Sequence, residues 1–375
     1  MAILISVIGI LFVFSLIIFV HEFGHFIAAK RSGVRVDSFA FGFPPKLWSR
    51  KKGDTTYAIN LIPLGGYVKI HGDDGSAPDD PTSYASKPAY IKIMILLAGV
   101  FLNFVLAWFI LFGGYLFGMQ PILPEMADHK GVVNNMKVVI STVEKDAPAE
   151  KQGLIKGDVV KKVDGLVVNE SPEILSVIQN KSDKAKDQPV SVNVVVDRNG
   201  KSIEKTITTY KSKQKVGNKE VEVNRIGVVL ENQGRISAPP LIAAKVALQE
   251  LGRMMYLTIM GVIDLFDKLI MSFQVSDNVA GPIGIFVITG SFAQMGFSAL
   301  IQFAAVLSIA VGIFNIIPIP GLDGGHTLIV LIETALRKKF SNKTKNIIQF
   351  AGFGALILLM VIVTFKDIFR FVIMK

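Results

Sequence analysis

The chain has no cysteine in 375 residues, which rules out disulfides, thiolate nucleophiles and thiolate-ligated metals. Any metal must be held by histidine and carboxylate side chains. Charge is also scarce. Asp, Glu, Lys and Arg make up 19% of the residues against 51% hydrophobic ones, and the mean hydropathy is +0.49. That balance is too apolar for an ordinary soluble protein, so much of the chain must face lipid. The charges avoid several stretches of about 20 residues, the length that crosses a bilayer, and crowd between residues 130 and 225. This mosaic reads as membrane helices plus one soluble insert. A net charge of +10 could suit a nucleic acid, but there is no basic helix interleaved with aromatics. The lipid bilayer is the expected partner, and no nucleic acid is.

Residues 3–20 carry no charge and, as a helix, are long enough to cross about 30 Å of hydrocarbon. They lack the basic start and the small-residue cleavage site of a signal peptide. Four transmembrane helices are expected, at about 3–27, 91–118, 297–318 and 347–373, which puts both termini on one side. Basic residues set the orientation. Lys30, Arg31, Arg35, Lys46, Arg50, Lys51 and Lys52 follow the first span, and Arg337, Lys338, Lys339, Lys343 and Lys345 follow the third. The positive-inside rule makes both loops cytoplasmic and the insert extracytoplasmic. Residues 238–273 are apolar but carry Lys245, Glu250, Arg253, Asp264, Asp267 and Lys268. Interfacial amphipathic helices are expected there, because a fifth span would separate Asp323 from His21.

The first span ends in His21-Glu22-Phe23-Gly24-His25. Residues four apart share a helix face, so His21 and His25 can offer two imidazoles to one Zn²⁺. Glu22 can then take a proton from metal-activated water, whose pKa zinc lowers to roughly 7. Three ionisable residues at the end of an uncharged span line a cavity, pair, bind metal or snorkel to the interface. A catalytic zinc has a third protein ligand and an open position. Residues 26–53 offer only Asp37 as an acid and no histidine. The remote candidate is Asp323, in Asn315-Ile-Ile-Pro-Ile-Pro-Gly-Leu-Asp-Gly-Gly-His326. Prolines and glycines break the third span here, and the basic loops place Asp323 at the depth of His21 and His25. His326 is read as supporting or structural, and His71-Gly-Asp-Asp-Gly75 as a polar turn.

Residues 55–70 contain two runs rich in Tyr, Ile and Val around Pro63-Leu64-Gly65-Gly66, a hairpin pattern. In the insert, Ala147 to Val167 looks like a PDZ signature, Val190–Val196 alternates as a strand, and Asp197-Arg-Asn-Gly200 is a turn.

Together these motifs resemble the site-2 protease family of intramembrane zinc metalloproteases, in particular the bacterial branch that cleaves membrane-anchored anti-sigma factors and remnant signal peptides. The resemblance spans nearly the whole chain. It is carried by H-E-F-G-H at 21–25, I-P-L-G-G-Y-V-K-I at 62–70, G-P-I-G at 281–284 and N-I-I-P-I-P-G-L-D-G-G at 315–325. It implies zinc on His21, His25 and Asp323, with Glu22 as general base. Asn315 would hold the substrate backbone, and the Gly65-Gly66-Tyr67 hairpin would dip into the membrane and pair with extended substrate.

The expected protein is mainly α, with four transmembrane helices, a membrane-associated β-hairpin and one α/β PDZ-like extracytoplasmic domain. Its parts are a first membrane half (1–120), the PDZ-like domain (126–231), the interfacial helices (238–273) and a second membrane half (280–375). The expected location is the bacterial inner membrane, with the active site near the cytoplasmic face. The PDZ-like domain either binds a peptide tail at Arg225–Leu230 or excludes large substrates. A non-enzymatic scaffold and an anchored zincin cutting soluble peptides are the competing functions.

Overall fold

The computed structural model describes residues 2–123, 130–185, 188–216, 219–272 and 280–369. Residues 126–129, 186–187 and 217–218 of the expected insert, 273 of the expected interfacial stretch and 370–373 of the expected last span lie outside them. The chain divides into two compact units, Met1–Gly113 with Ala247–Lys375, and Gly114–Val246.

In the first unit, helix α1 runs Ala2–Arg31 without a charge before Glu22. Strands β1 (Val36–Lys52) and β2 (Thr55–Ile70) follow, then helix α2 (Ala89–Phe117). The strand pairing departs from the expected hairpin within 55–70. The two runs of β2 do not pair with each other. Residues 38–41 of β1 lie between them, pairing with 56–59 on one side and 66–69 on the other, while 46–52 of β1 pairs with 55–60. The apolar Phe39, Ala40 and Phe41 make the inner strand of this folded ribbon. Its aromatics pack on α1, with Phe26 and Phe39 centroids 5.0 Å apart. Ser15 donates to the Pro63 carbonyl at 2.5 Å. Pro63 therefore lies about 9 Å along α1 from His21, towards the middle of the apolar span.

The second unit contains β3 (Val133–Asn134), β4 (Lys137–Val143), α3 (Pro148–Lys151), β5 (Val159–Val163), β6 (Leu166–Val167) and α4 (Ser171–Lys184). They are followed by β7 (Ser191–Arg198), β8 (Lys201–Thr208), β9 (Tyr210–Val216), β10 (Lys219–Arg225), β11 (Val228–Gln233) and β12 (Ile236–Ser237). The main sheet has the order β11-β4-β5-β7-β8, with β6 paired to β5. Alternate residues of β7, namely Val192, Val194 and Val196, enter a core with Val138, Ile140, Ile174 and Ile207.

One continuous helix, α5 (Pro240–Ser272), replaces the several amphipathic helices expected over 238–273. Helices α6 (Pro282–Met295), α7 (Phe297–Ile316), α8 (Asp323–Leu336) and α9 (Asn342–Ile368) complete the first unit. Five of the described helices, not four, are long and apolar enough to cross a membrane: α1, α2, α5, α7 and α9. The additional one, α5, is the least apolar of the five. Helix α7 ends at Ile316 because Pro318 and Pro320 lack amide donors and residues before proline avoid the helical region. Val13 and Ile17 of α1 pack against Leu300 and Ala304 of α7 in one buried cluster, and Gly9 lies beside Leu300.

Candidate metal centre

The carboxyl-terminal part of α1 presents His21 and His25 on one face, both buried. Glycines let α2 come close enough to fix them. A Cβ on Gly24 would sit 2.4 Å from the Ala98 carbonyl oxygen, and one on Gly99 would sit 2.5 Å from His25 Nε2 and 2.9 Å from His21 Cε1. The His25 Nδ1–H donates to the Ile95 carbonyl at 2.8 Å, which leaves Nε2 as the free lone pair. His21 Nδ1 faces the Asn103 amide at 3.3 Å.

Asp323 is the first residue of α8, directly after the proline turn. A Cβ on Gly324 would come within 2.2 Å of the Ile316 carbonyl oxygen, and one on Gly325 within 2.2 Å of that of Ile319. Only glycine at both positions lets the first turn of α8 fold back on the end of α7 and carry the carboxylate to α1. Asp323 Oδ2 lies 3.1 Å from His21 Nε2 and 3.4 Å from His25 Nε2, and the two Nε2 atoms are 3.2 Å apart. Tetrahedral zinc with bonds of about 2.0–2.1 Å sets neighbouring ligand atoms about 3.3 Å apart, so this triangle has the size of one face of the coordination shell. Asp323 Oδ2 is buried with no hydrogen-bond partner among the described residues, an orphan that a cation would satisfy. The three residues form a group able to hold a metal ion.

Glu22 Oε2 accepts from the Val68 amide at 3.0 Å, which ties this side chain to the end of β2. A cavity of about 770 Å³ opens onto His21, Glu22, His25 and Asp323. Its far side is polar, with Lys92, Lys345 and Glu333 among the lining groups. Asp73 lines it too, and burial pushes that carboxyl up from its usual range.

A sequence profile described as Peptidase family M50 matches residues 9–359. The chain belongs to this family. It is accordingly a zinc metalloprotease acting on protein substrates, with several membrane-spanning helices. Zinc metalloprotease RasP of Shouchella clausii is 28% identical over 95% of this chain and 97% of its own length. A Campylobacter jejuni protein with a provisional zinc metalloprotease name is 31% identical over 96% of this chain and 92% of its own. One from Clostridium perfringens, named in the same way, is 31% identical over 96% and 97%.

Of the other residues singled out in the sequence, Asn315 and His326 line the cavity. Asn315 Nδ2 bonds the Val311 carbonyl of its own helix at 3.0 Å, which leaves its oxygen as the available group. Gly65, Gly66 and Tyr67 do not line the cavity, although a Cβ on Gly66 would lie 3.7 Å from Glu22 Cγ. His71 sits in a turn, 3.1 Å from Asp80 Oδ2 and 2.7 Å from Arg35 Nη2, apart from the metal group. The sequence reading missed the α2 residues Ile95, Gly99 and Asn103. Their signal is the four-residue spacing that puts all three on one helix face, with a lone asparagine in an otherwise apolar span.

Proposed function

We propose that the protein hydrolyses peptide bonds in single-pass, membrane-anchored substrates such as anti-sigma factors or remnant signal peptides, with His21, His25 and Asp323 as the zinc ligands. The observation that carries this reading is the three-atom triangle of metal-ligand size, with the Glu22 carboxylate beside it at the end of an apolar helix. Zinc would supply Lewis acidity, bringing a coordinated water to a pKa near about 7. Glu22, held by the Val68 amide, takes the proton from the attacking water and returns it to the leaving amine.

Extended substrate reaches the site by adding to residues 66–70. Among the described residues this segment pairs only with β1, so its other edge is open for strand addition. The Val68 amide on that edge is already committed to Glu22. Two residues earlier the Gly66 backbone faces the same way and would bond the substrate. Asn315 offers its amide oxygen to a substrate N–H.

The directions of the helices support four spans. Helices α1 and α7 run parallel, because Gly9 meets Leu300 near their starts while His21, further along α1, meets Asp323 just past the end of α7. The chain must therefore return to its starting side between them. Helix α2 makes that crossing, and α5 crossing as well would undo it, because the 14-residue α6 is too short to compensate. Helix α5 then keeps both ends outside, and the metal centre lies near the cytoplasmic face of the bacterial inner membrane. The second unit is the PDZ-like insert. Its β11 is an edge strand, the place where a peptide tail would add.

Glu22→Gln tests the chemistry. It is expected to retain zinc and lose at least about 10³-fold in cleavage. Cleavage at the wild-type rate would remove Glu22 from the mechanism. A substrate without its membrane anchor is expected to survive, and its efficient cleavage would favour an anchored protease for soluble peptides.

A further inference from the structure

Zinc binding at His21 demands something of the opposite side of the ring. A neutral imidazole carries one proton, and a metal on Nε2 requires that proton on Nδ1, where it needs an acceptor. For His25 the acceptor is plain, the Ile95 carbonyl at 2.8 Å. For His21 the facing group is the Asn103 side chain, 82 residues away in sequence and completely buried.

The amide stands with Nδ2 3.3 Å from His21 Nδ1, while its own Oδ1 is buried and has no hydrogen-bond partner among the described residues. An N–H donated to Nδ1 would force the ring proton onto Nε2, into the centre of the triangle. Half a turn of the amide about its Cβ–Cγ bond exchanges the two atoms and reverses that outcome. The orphaned oxygen then accepts from Nδ1–H, and Nε2 is left with its lone pair. The turn of α2 that carries Asn103 is fixed independently. Ser308 of α7, fully buried, donates its hydroxyl to the Asn103 backbone carbonyl at 2.8 Å.

We propose that Asn103 is a positioning residue that holds His21 in its metal-binding tautomer, its amide oxygen accepting the Nδ1 proton. The proposal rests on His21 being a zinc ligand, as argued above. Residues 95, 99 and 103 then form one functional stripe on α2: a carbonyl for His25, an open space for both rings, and an amide for His21. Neither Ile95 nor Asn103 touches metal or substrate. Each acts through a histidine on the neighbouring helix.

The test measures metal binding on the full-length protein in detergent, by competition with a chromophoric chelator, and records the visible spectrum of the Co²⁺-substituted form. Asn103→Leu, close in volume and unable to hydrogen-bond, is expected to weaken zinc by about 10–100-fold, the usual effect of losing a ligand's hydrogen-bond partner. Asn103→Asp, an acceptor at both oxygens, is expected to restore wild-type affinity and the wild-type Co²⁺ spectrum. A space-filling role would not separate these two variants. Wild-type affinity in Asn103→Leu overturns the proposal. So does loss of zinc in Asn103→Asp, since that would show the amide N–H to be the group His21 needs. Should the leucine variant fail to fold, the aspartate variant still decides by the same two readings. His21→Ala is the separate control. If it binds zinc like wild type, the ligand assignment itself falls, whatever the Asn103 variants do.

Discussion

Asp158 is fully buried in the second unit, and its two oxygens meet Arg198 Nε at 2.7 Å and Nη2 at 2.8 Å. Burial alone would raise this carboxyl, but the guanidinium and the Ile155 amide outweigh it and hold Asp158 below its usual range. A depressed folded pKa contributes stability above the unfolded value of about 3.9, and that contribution is lost as pH falls through the folded one. Arg198→Met is therefore expected to destabilise the second unit at pH 7, where it strands the Asp158 charge, and to do so by less near pH 3. Hydrogen exchange of β5 and β7 across that range measures it, and an equal loss at both values would show that the Asp158 charge is not what Arg198 stabilises. The residues legible in the sequence were those whose chemistry allows few substitutes. His21, Glu22, His25 and Asp323, the residues proposed for zinc binding and proton transfer, could be singled out because that chemistry admits only a short list of side chains. Asn103 could not, because its role depends on which ring it faces across a helix interface.

At the scale of elements, the metal centre depends on how closely α1 and α2 approach. Gly24→Ala places a methyl 2.4 Å from a backbone oxygen, which no side-chain rotation can relieve, whereas Gly99→Ala pushes directly on both imidazoles. Both variants are expected to lose at least about 10-fold in zinc affinity, and overpacking of this kind typically costs about 1–3 kcal/mol. Chelator titration together with thermal unfolding would check both effects, and unchanged zinc binding in Gly99→Ala would mean the rings do not lie against α2. Periodicity revealed the helices well, since an uncharged run of 20 residues has few other fates. It did not reveal the order of the ribbon strands. The two runs of β2 look like hairpin partners in sequence, but the Phe39–Phe41 segment, itself apolar and extended, competes for the same edges and takes the place between them.

At the scale of the whole molecule, the side of the membrane occupied by each loop is the open quantity, and the missing cysteines make it directly measurable. A single cysteine at Asn199, in the β7–β8 turn, is expected to react with an impermeant maleimide in intact cells. One at Lys343, before α9, is expected to react only after the membrane is opened. Reaction of both from the same side would mean that α5 crosses the bilayer. Basic-residue counts could give this expectation because insertion responds to loop charge. They could not show that residues 240–272 form one unbroken helix, since scattered charges in an apolar stretch fit either arrangement.

The remoteness of Asp323 from the two histidines has a consequence beyond catalysis. The ion they share would tie together two segments of the first unit about 300 residues apart in the chain, closing a longer loop than most disulfides do. In a protein without a single cysteine, zinc would be the nearest thing to a covalent staple. A chain nicked anywhere in the second unit would still have its two membrane halves clasped at the catalytic centre.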